Sequence, residues 1–234
     1  MQYITNIWDE IVTWCHGGVE PEPEDISYGL LYNWYAATDA REIAADGWHV
    51  PTEAEIITFY TFLDAAVAGG KCKETGLTYW FSPNTGATNE TGFNGRGSGI
   101  RIYNTGVYSN MLSTGNWWLT TPHPSDPSMA YTFNFSRSDA LINNTSNGQR
   151  NEGMAIRLIK DSTTLSDGEG GSYTGNDGKV YRTICIGTQE WLADNLAETK
   201  FRNGDDIPEV TDNGAWAALE TAGMCAYDND WGNV

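Results

Sequence analysis

Basic residues are scarce in this sequence, which has 13 lysines and arginines against 31 aspartates and glutamates. The formal net charge of −18 repels phosphate backbones and therefore argues against a nucleic-acid partner. Long apolar runs are also missing, because no stretch reaches the roughly 20 consecutive apolar residues that cross a bilayer. The N-terminus has no basic region, and Asp9 and Glu10 interrupt its apolar residues. Neither membrane insertion nor a secretory signal peptide is predicted.

Cysteine is rare as well, with four residues and no CxxC pair. No histidine stands at a zinc-ligand spacing from Cys15, Cys72, Cys185 or Cys225, so the pattern favours free thiols over disulfides or a zinc site. An EF-hand loop is also missing from the sequence, and we predict no cofactor. Clustered carboxylates still leave room for a structural divalent cation.

The motifs of common enzyme classes are missing too. The sequence has no GxSxG, HExxH or P-loop motif, and no Rossmann fingerprint before a helix. The glycine-rich GFNGRGSGIR follows a polar loop and precedes an apolar run, which is typical of turns rather than of phosphate binding. His16, His49 and His123 are far apart, and we predict that His49 is a packed structural residue. We therefore expect a protein without enzymatic activity.

The first 18 residues predict an amphipathic helix. Apolar residues recur there at helical spacing and form one stripe, namely Ile4, Ile7, Trp8, Ile11, Val12 and Cys15. Residues 19–26 are acidic and proline-rich, which is typical of a stiff linker. A short helix behind a linker cannot bury its stripe alone, so it either packs back on its own domain or binds a partner. We expect it to mediate assembly with other copies of the chain or with other proteins.

Aromatic residues and glycines are abundant, with 10 Trp, 12 Tyr and 26 Gly, and they favour a β or α+β protein with many turns. Within residues 27–161, Thr52 and Glu55 form a capping box that begins a helix over residues 53–66. Short apolar segments between turn residues then predict four strands: GIRIYN, GNWWLTT, MAYTFNF and GMAIRLIKD.

Residues 162–172 form a glycine-rich joint, and residues 173–234 contain one more alternating strand, VYRTICI. We expect Val180, Ile184 and Ile186 of this strand to face the core that Ile156 and Leu158 also line. The segment TDNGAWAALETAG predicts one more short helix.

Several of these segments resemble the Fibrobacter succinogenes major paralogous domain in their order and spacing. The matching motifs are YGLLYNWYAAT, GWHVPTEAE, AGGKCKETG, SPNTGATNETGFNGRGSG, NWWLTT and GMAIRLIKD. The resemblance implies an α+β, C-type-lectin-like fold of mixed short strands, two or more helices and long Gly/Asn-rich loops. It also implies a surface or secreted protein of Bacteroidetes and related bacteria, or a protein of their phages.

The segment DGKVYRTICIGTQEWLADNL also resembles this family, but in the family it precedes the other motifs. Circular permutation explains the displaced order, because a joint can connect termini that lie close together. A head-to-tail exchange explains it as well, if residues 173–234 of one subunit complete residues 27–161 of the next. We favour the permuted monomer. In both cases VYRTICI should pair beside GMAIRLI, with Trp191 and Leu196 buried beside the helix at 53–66.

Residues 131–151 interleave aromatic residues with Asn, Ser and Arg, a mixture that recognition surfaces use. The resemblance places this region on the ligand-binding face of lectin-like folds. The candidate ligand-binding residues are Tyr131, Asn134, Arg137, Asn144 and Arg150. The alternative is that they belong to ordinary turns and half-buried strands. Trp117 and Trp118 are predicted to pack in the core rather than to bind sugar.

The resemblance, the acidic charge and the N-terminal stripe together favour a non-enzymatic phage virion component, such as a fibre or decoration protein. Such a protein would fold in the cytoplasm and act on the virion or outside the cell. It would form homo-oligomers, bind other virion proteins through residues 1–18, or attach to a cell-surface glycan or protein. A carbohydrate-binding adhesin of a Bacteroidetes-type bacterium is the alternative. An enzyme related to the formylglycine-generating family is a further one, although no equivalent of that family's cysteine pair is evident.

Overall fold

Short strands dominate the residues that the structure describes. The structure is a computed structural model, and it describes residues 28–234, except for the side chains of residues 145–147. The predicted N-terminal stripe (Ile4, Ile7, Trp8, Ile11 and Val12), the linker at 19–26 and Cys15 lie outside the described residues. Within residues 28–234, twelve strands and four short α-helices form a mixed structure, which confirms the α+β class.

The helices are α1 (Trp34–Ala37), α2 (Glu53–Phe62), α3 (Ala68–Cys72) and α4 (Asn213–Ala217). The strands are β1 (Leu31–Tyr32), β2 (Trp48–His49), β3 (Ser98–Arg101), β4 (Tyr108–Met111), β5 (Thr114–Pro122), β6 (Met129–Ser136), β7 (Asn143–Gln149), β8 (Ile159–Lys160), β9 (Gly170–Thr174), β10 (Val180–Ile186), β11 (Gln189–Leu192) and β12 (Met224–Cys225). Two 3₁₀ helices follow, at Tyr227–Asn229 and Trp231–Asn233.

Helix α2 begins where the sequence predicts it. The Thr52 hydroxyl accepts a hydrogen bond from the Glu55 N–H, and the Glu55 carboxylate accepts one from the Thr52 N–H at 2.7 Å. These two bonds satisfy N–H groups that have no partner inside the helix. The helix ends at Phe62, before the predicted residue 66, and Asp64 just beyond it has a φ of 71° that cannot continue a helix.

Two five-stranded sheets and one two-stranded pair contain all twelve strands of the described chain. The first sheet has the order β2-β8-β11-β10-β9 and is antiparallel throughout. The second has the order β4-β3-β5-β6-β7, in which only β3 and β5 run parallel. Strand β12 pairs with β1 at the other end of the chain. The C-terminal segment therefore packs against residues of its own chain, and β9 begins within the predicted joint at 162–172.

The direct pairing predicted between VYRTICI and GMAIRLI is wrong. Strand β10 pairs with β9 and β11, and β11 pairs with β8 through Trp191 and Ile159. The reason is local: β10 and β11 form a hairpin around Gly187, whose φ is 64°, so β11 occupies the position beside β8. The predicted strand at 153–161 is also shorter than expected, because only Ile159 and Lys160 are in a strand.

The predicted inward face of β10 is also only partly right. Tyr181, which the alternation placed on the other side, shares a core cluster with Ile156 and Leu158. Ile186 is buried and Ile184 half-buried, but both pack in a second cluster. Apolar side chains pack on both faces of this strand, so polarity alone did not indicate which face lines which core.

The second cluster is aromatic and connects the two sheets with helix α2. Trp191 packs on Phe59 of that helix, with ring centroids 4.9 Å apart, as predicted. Leu196 is buried too, but in the first cluster rather than beside the helix. Trp117 and Trp118 are both fully buried, one in each cluster, which confirms the prediction that they belong to the core.

Buried cations hold the long loops in place. Lys73 donates three hydrogen bonds to the carbonyl groups of Thr85, Ser136 and Asp139, at 2.7–2.9 Å. Burial lowers the pKa of this amine to about 8. The long loops between the strands leave many carbonyls without a strand partner, and a buried cation satisfies several of them at once.

Arg101 and Arg157 act in the same way and are fully buried. Arg157 donates to the carbonyls of Phe93, Asn94 and Leu192 and to the Asn195 side chain. Arg101 donates to the carbonyls of Gly106, Val210 and Thr211 and to the Asn213 side chain. Three of those partners of Arg101 lie in the C-terminal segment, so this side chain fastens that segment to β3.

The free-thiol prediction is confirmed for the three described cysteines, Cys72, Cys185 and Cys225. All three are buried. Burial raises the pKa of Cys72 to about 12 and raises that of Cys225, so these thiols stay protonated at neutral pH.

Candidate functional site

The structure does not bring the five predicted ligand-binding residues together. Asn134 in β6 pairs with Asn143 in β7, whereas Asn144 pairs with Phe133 on the opposite face of the sheet. Tyr131 packs against the aromatic cluster on the side of Phe133. These positions follow from the alternation of side chains along a strand.

The two predicted arginines lie at opposite ends of β6. Arg137 follows the last residue of the strand and donates to the carbonyl of Ser82. Arg150 follows β7, and its N–H donates to the carbonyl of Ser128, just before the first residue of β6. A strand of this length spans about 25 Å, so no small ligand contacts both arginines.

Arg150 lines a groove between the turn after β7 and the end of helix α4. The groove has a volume of about 190 Å³ and is lined by Tyr35, Ser128, Gln149, Arg150, Asn151 and residues 217–220. One wall therefore comes from the turn after β7, and the other from the end of α4. Sequence reasoning found Arg150 but missed Tyr35 and the α4 wall, because both are distant along the chain.

Main-chain bonds position Arg150 firmly. Its N–H donates to Ser128 at 2.9 Å, and its carbonyl accepts from the N–H of Trp34 at 2.8 Å. The turn is closed by Glu152, whose N–H donates to the Gln149 carbonyl at 2.7 Å and whose carboxylate accepts from the Gln149 N–H at 3.1 Å. Burial raises the pKa of Glu152 to about 7, and that one hydrogen bond opposes the rise.

The second wall is connected to the first through Asn151. Its side-chain amide donates to the carbonyls of Ala217 and Tyr103, at 2.9 and 3.0 Å. Its own carbonyl accepts from the indole N–H of Trp216 at 2.8 Å. Trp216 is fully buried, so helix α4 is anchored where it borders the groove.

The guanidinium of Arg150 lies over an aromatic ring. Its central carbon is 4.1 Å from the ring centroid of Trp34, within the range of a cation–π contact. The Trp34 ring is itself held by a hydrogen bond from its indole N–H to the Leu119 carbonyl at 3.0 Å. The only hydrogen bond from the guanidinium to a described residue is a long one of 3.4 Å, from Nε to the Met129 carbonyl.

Arg150 differs in this respect from every other cation of the protein. All 13 lysines and arginines lie in the described range. Eight form ion pairs, namely Arg41, Lys71, Arg96, Lys160, Lys179, Arg182, Lys200 and Arg202. Four donate to main-chain carbonyls through their charged ends, namely Lys73, Arg101, Arg137 and Arg157. Among residues 28–234, the terminal NH₂ groups of Arg150 alone have neither kind of partner.

A larger cavity of about 370 Å³ lies beside Trp48 and His49, but its charged groups are already paired. Arg202 pairs with Glu42 and Asp46. The His49 ring lies between two carboxylates, with Nε2 2.8 Å from Glu55 and Nδ1 2.6 Å from Asp161. His49 is thus a half-exposed residue that bridges Glu55 and Asp161, rather than the packed residue that the sequence predicts, because both ring nitrogens need polar partners.

The pKa of His49 is raised. The hydrogen bond that the ring donates to Glu55 makes the largest contribution, partial burial opposes it, and Asp161 raises the pKa further. Within residues 28–234, no group of three or more His, Cys, Asp or Glu side chains is arranged to hold a metal ion.

The family model of the Fibrobacter succinogenes major domain matches residues 10–160, which is more than half of the chain. The chain belongs to this family. The matched range includes Trp34, Tyr35 and Arg150, and it ends before the α4 wall of the groove. No curated protein and no solved structure is significantly similar to the chain. In the described part of this family member, no helix is long and apolar enough to cross a membrane.

Proposed function

We propose that this protein is a non-enzymatic recognition module that binds a ligand in the groove around Arg150. The observation that carries the proposal is the Arg150 guanidinium, whose terminal NH₂ groups have no ion-pair or hydrogen-bond partner within residues 28–234. The chain has many more carboxylates than lysines and arginines, yet no carboxylate within residues 28–234 pairs with Arg150. Its position on Trp34 is fixed before any ligand arrives, so little side-chain entropy is lost on binding.

The remaining groups of the groove suit recognition as well. Tyr35 is half-buried and offers a ring face and a hydroxyl. The side-chain amide of Gln149 has no hydrogen-bond partner among the described residues, and the Asn151 side-chain oxygen is unused in the same range. A rigid aromatic group with adaptable polar groups around it is typical of binding surfaces.

We further propose that the module belongs to a phage virion component or, as the alternative, to a surface adhesin. In this proposal residues 4–15 mediate assembly, and the groove attaches the particle or cell to its target. The net charge of −18 supports a role at a surface, because it keeps such a protein soluble at high local concentration.

We also propose that the chain has a C-type-lectin-like fold in which residues 173–234 correspond to a displaced N-terminal part. The pairing of β12 with β1 and of β11 with β8 agrees with circular permutation, which requires both contacts within one chain. A chain that ends at residue 161 should then fail to fold, and residues 173–234 added in trans should restore it. Independent folding of the shorter chain would show that the C-terminal segment is a separate domain.

The binding role is tested by amide chemical-shift mapping of the full chain with a mixture of monosaccharides, acetate and short acidic peptides. We expect shifts concentrated at residues 149–151 and 217–220, and their loss in Arg150→Ala. Arg137→Ala is the matched control, since Arg137 lies at the other end of β6. Shifts that cluster around Trp48 instead, or that persist in Arg150→Ala, would contradict the proposal.

A further inference from the structure

We infer that the ligand of the Arg150 groove is a sugar that carries a carboxylate, such as a hexuronic acid unit of a glycan. The inference rests on the proposed binding role of the groove and adds the chemical class of the ligand. It follows from the geometry of the guanidinium, the charges near it, and the size and polar groups of the groove.

The guanidinium offers the geometry that a carboxylate needs. Two terminal NH₂ groups, without a hydrogen-bond partner in residues 28–234, lie in one plane that Trp34 holds from one side. A planar fork of this kind binds the two oxygens of a carboxylate with two parallel hydrogen bonds. At each of the other 12 cations an ion pair or a main-chain carbonyl already competes with an external carboxylate. At Arg150 it displaces only solvent.

The acidic groups near the groove do not cancel this attraction. Glu220 also lines the groove, but it is exposed, and solvent screens its repulsion. Asp126 is half-buried, but its hydrogen bonds with Ser128 are the main cause of its lowered pKa, and the charge of Arg150 adds only in smaller part. Direct, bidentate contact with Arg150 therefore decides the preference.

The rest of the groove favours a sugar over a peptide as the source of the carboxylate. Hydroxyl groups both donate and accept, and the groove offers both kinds of partner: the Gln149 amide, the Asn151 oxygen and the Tyr35 hydroxyl. A sugar ring also presents a C–H face that packs on an aromatic ring such as Tyr35. A volume of about 190 Å³ suits one such ring.

The test compares two ligands that differ only at the carboxylate, methyl galacturonoside and methyl galactoside, by titration calorimetry and by chemical-shift titration of the full chain. We expect the uronoside to bind about tenfold more tightly or better, as one added charge-assisted contact implies. Higher salt should weaken its binding more than that of the galactoside. Arg150→Ala should abolish the difference, Arg150→Lys should retain part of it, and Arg137→Ala should leave it unchanged.

Each other outcome has a definite meaning. Equal affinity for both sugars, with shifts at residues 149–151, would overturn the carboxylate inference and keep the binding role. Binding of an acidic peptide but of neither sugar, with loss in Arg150→Ala, would also overturn the inference and identify a protein ligand. Binding of the sugars that Arg150→Ala leaves unchanged would reject both the inference and the proposed function.

Discussion

Trp191 provides the strongest test of whether the C-terminal segment belongs to the same core as the rest of the chain. Its side chain is fully buried, packs on Phe59 and lies near Phe93, with centroids 6.2 Å apart. Burial of a tryptophan removes about 200 Å² from water, which is worth about 5 kcal/mol as an upper limit. We therefore expect Trp191→Ala to lower the free energy of unfolding by about 3–5 kcal/mol.

A second substitution at the same position tests the details of the packing. The indole N–H of Trp191 is buried and has no hydrogen-bond partner among the described residues. Trp191→Phe therefore breaks no hydrogen bond and leaves a smaller cavity, so we expect a loss of only about 1–2 kcal/mol. Trp231, which is 44% exposed, provides the control, and Trp231→Ala should cost less than about 1 kcal/mol.

The assay is urea unfolding followed by far-ultraviolet circular dichroism, because removal of a tryptophan changes the fluorescence signal itself. The urea dependence of the free energy should stay the same in all variants, which shows that one cooperative unit unfolds. A loss below about 1 kcal/mol in Trp191→Ala would refute the reasoning, since the C-terminal segment would then contribute little to the core. Equal losses in Trp191→Ala and Trp191→Phe would show that the indole N–H contributes more than the structure indicates.

Three further predictions concern other contacts. Because the pKa of His49 is raised, its contacts with Glu55 and Asp161 stabilise the fold fully below the unfolded pKa of about 6.5 and less as pH rises through the folded pKa. The stability lost in His49→Gln should therefore be largest near pH 6 and shrink by pH 9, as measured by parallel thermal melts. Arg101→Met should cost about 3–5 kcal/mol and speed hydrogen exchange at residues 210–225, because it leaves buried carbonyls unpaired, and unchanged exchange there would contradict that role. Deletion of residues 1–20 should leave the melting temperature unchanged but abolish assembly in analytical ultracentrifugation, and a truncated chain that unfolds would show that the stripe is core.

Local features of the fold could be predicted because they depend on residues close together in the chain. The capping box at Thr52 and Glu55 needs only a spacing of three residues, and it is present. The strands β5, β6 and β10 correspond to apolar runs between turns, and they too are present. The order of strands in a sheet is not local, and the hairpin around Gly187 therefore placed β11 where β10 was expected.

The sequence by itself determined the composition of the core, the free thiols and Arg150 as one candidate for ligand binding. Only the tertiary structure decided that the five candidates do not share one site, because alternation sends Asn134 and Asn144 to opposite faces of one sheet. The tertiary structure alone also decided that the terminal NH₂ groups of Arg150 have no ion-pair or hydrogen-bond partner among the described residues. Whether a cation has a partner depends on where every carboxylate of the folded chain lies, and Trp34 and the α4 wall reach Arg150 from distant parts of the chain.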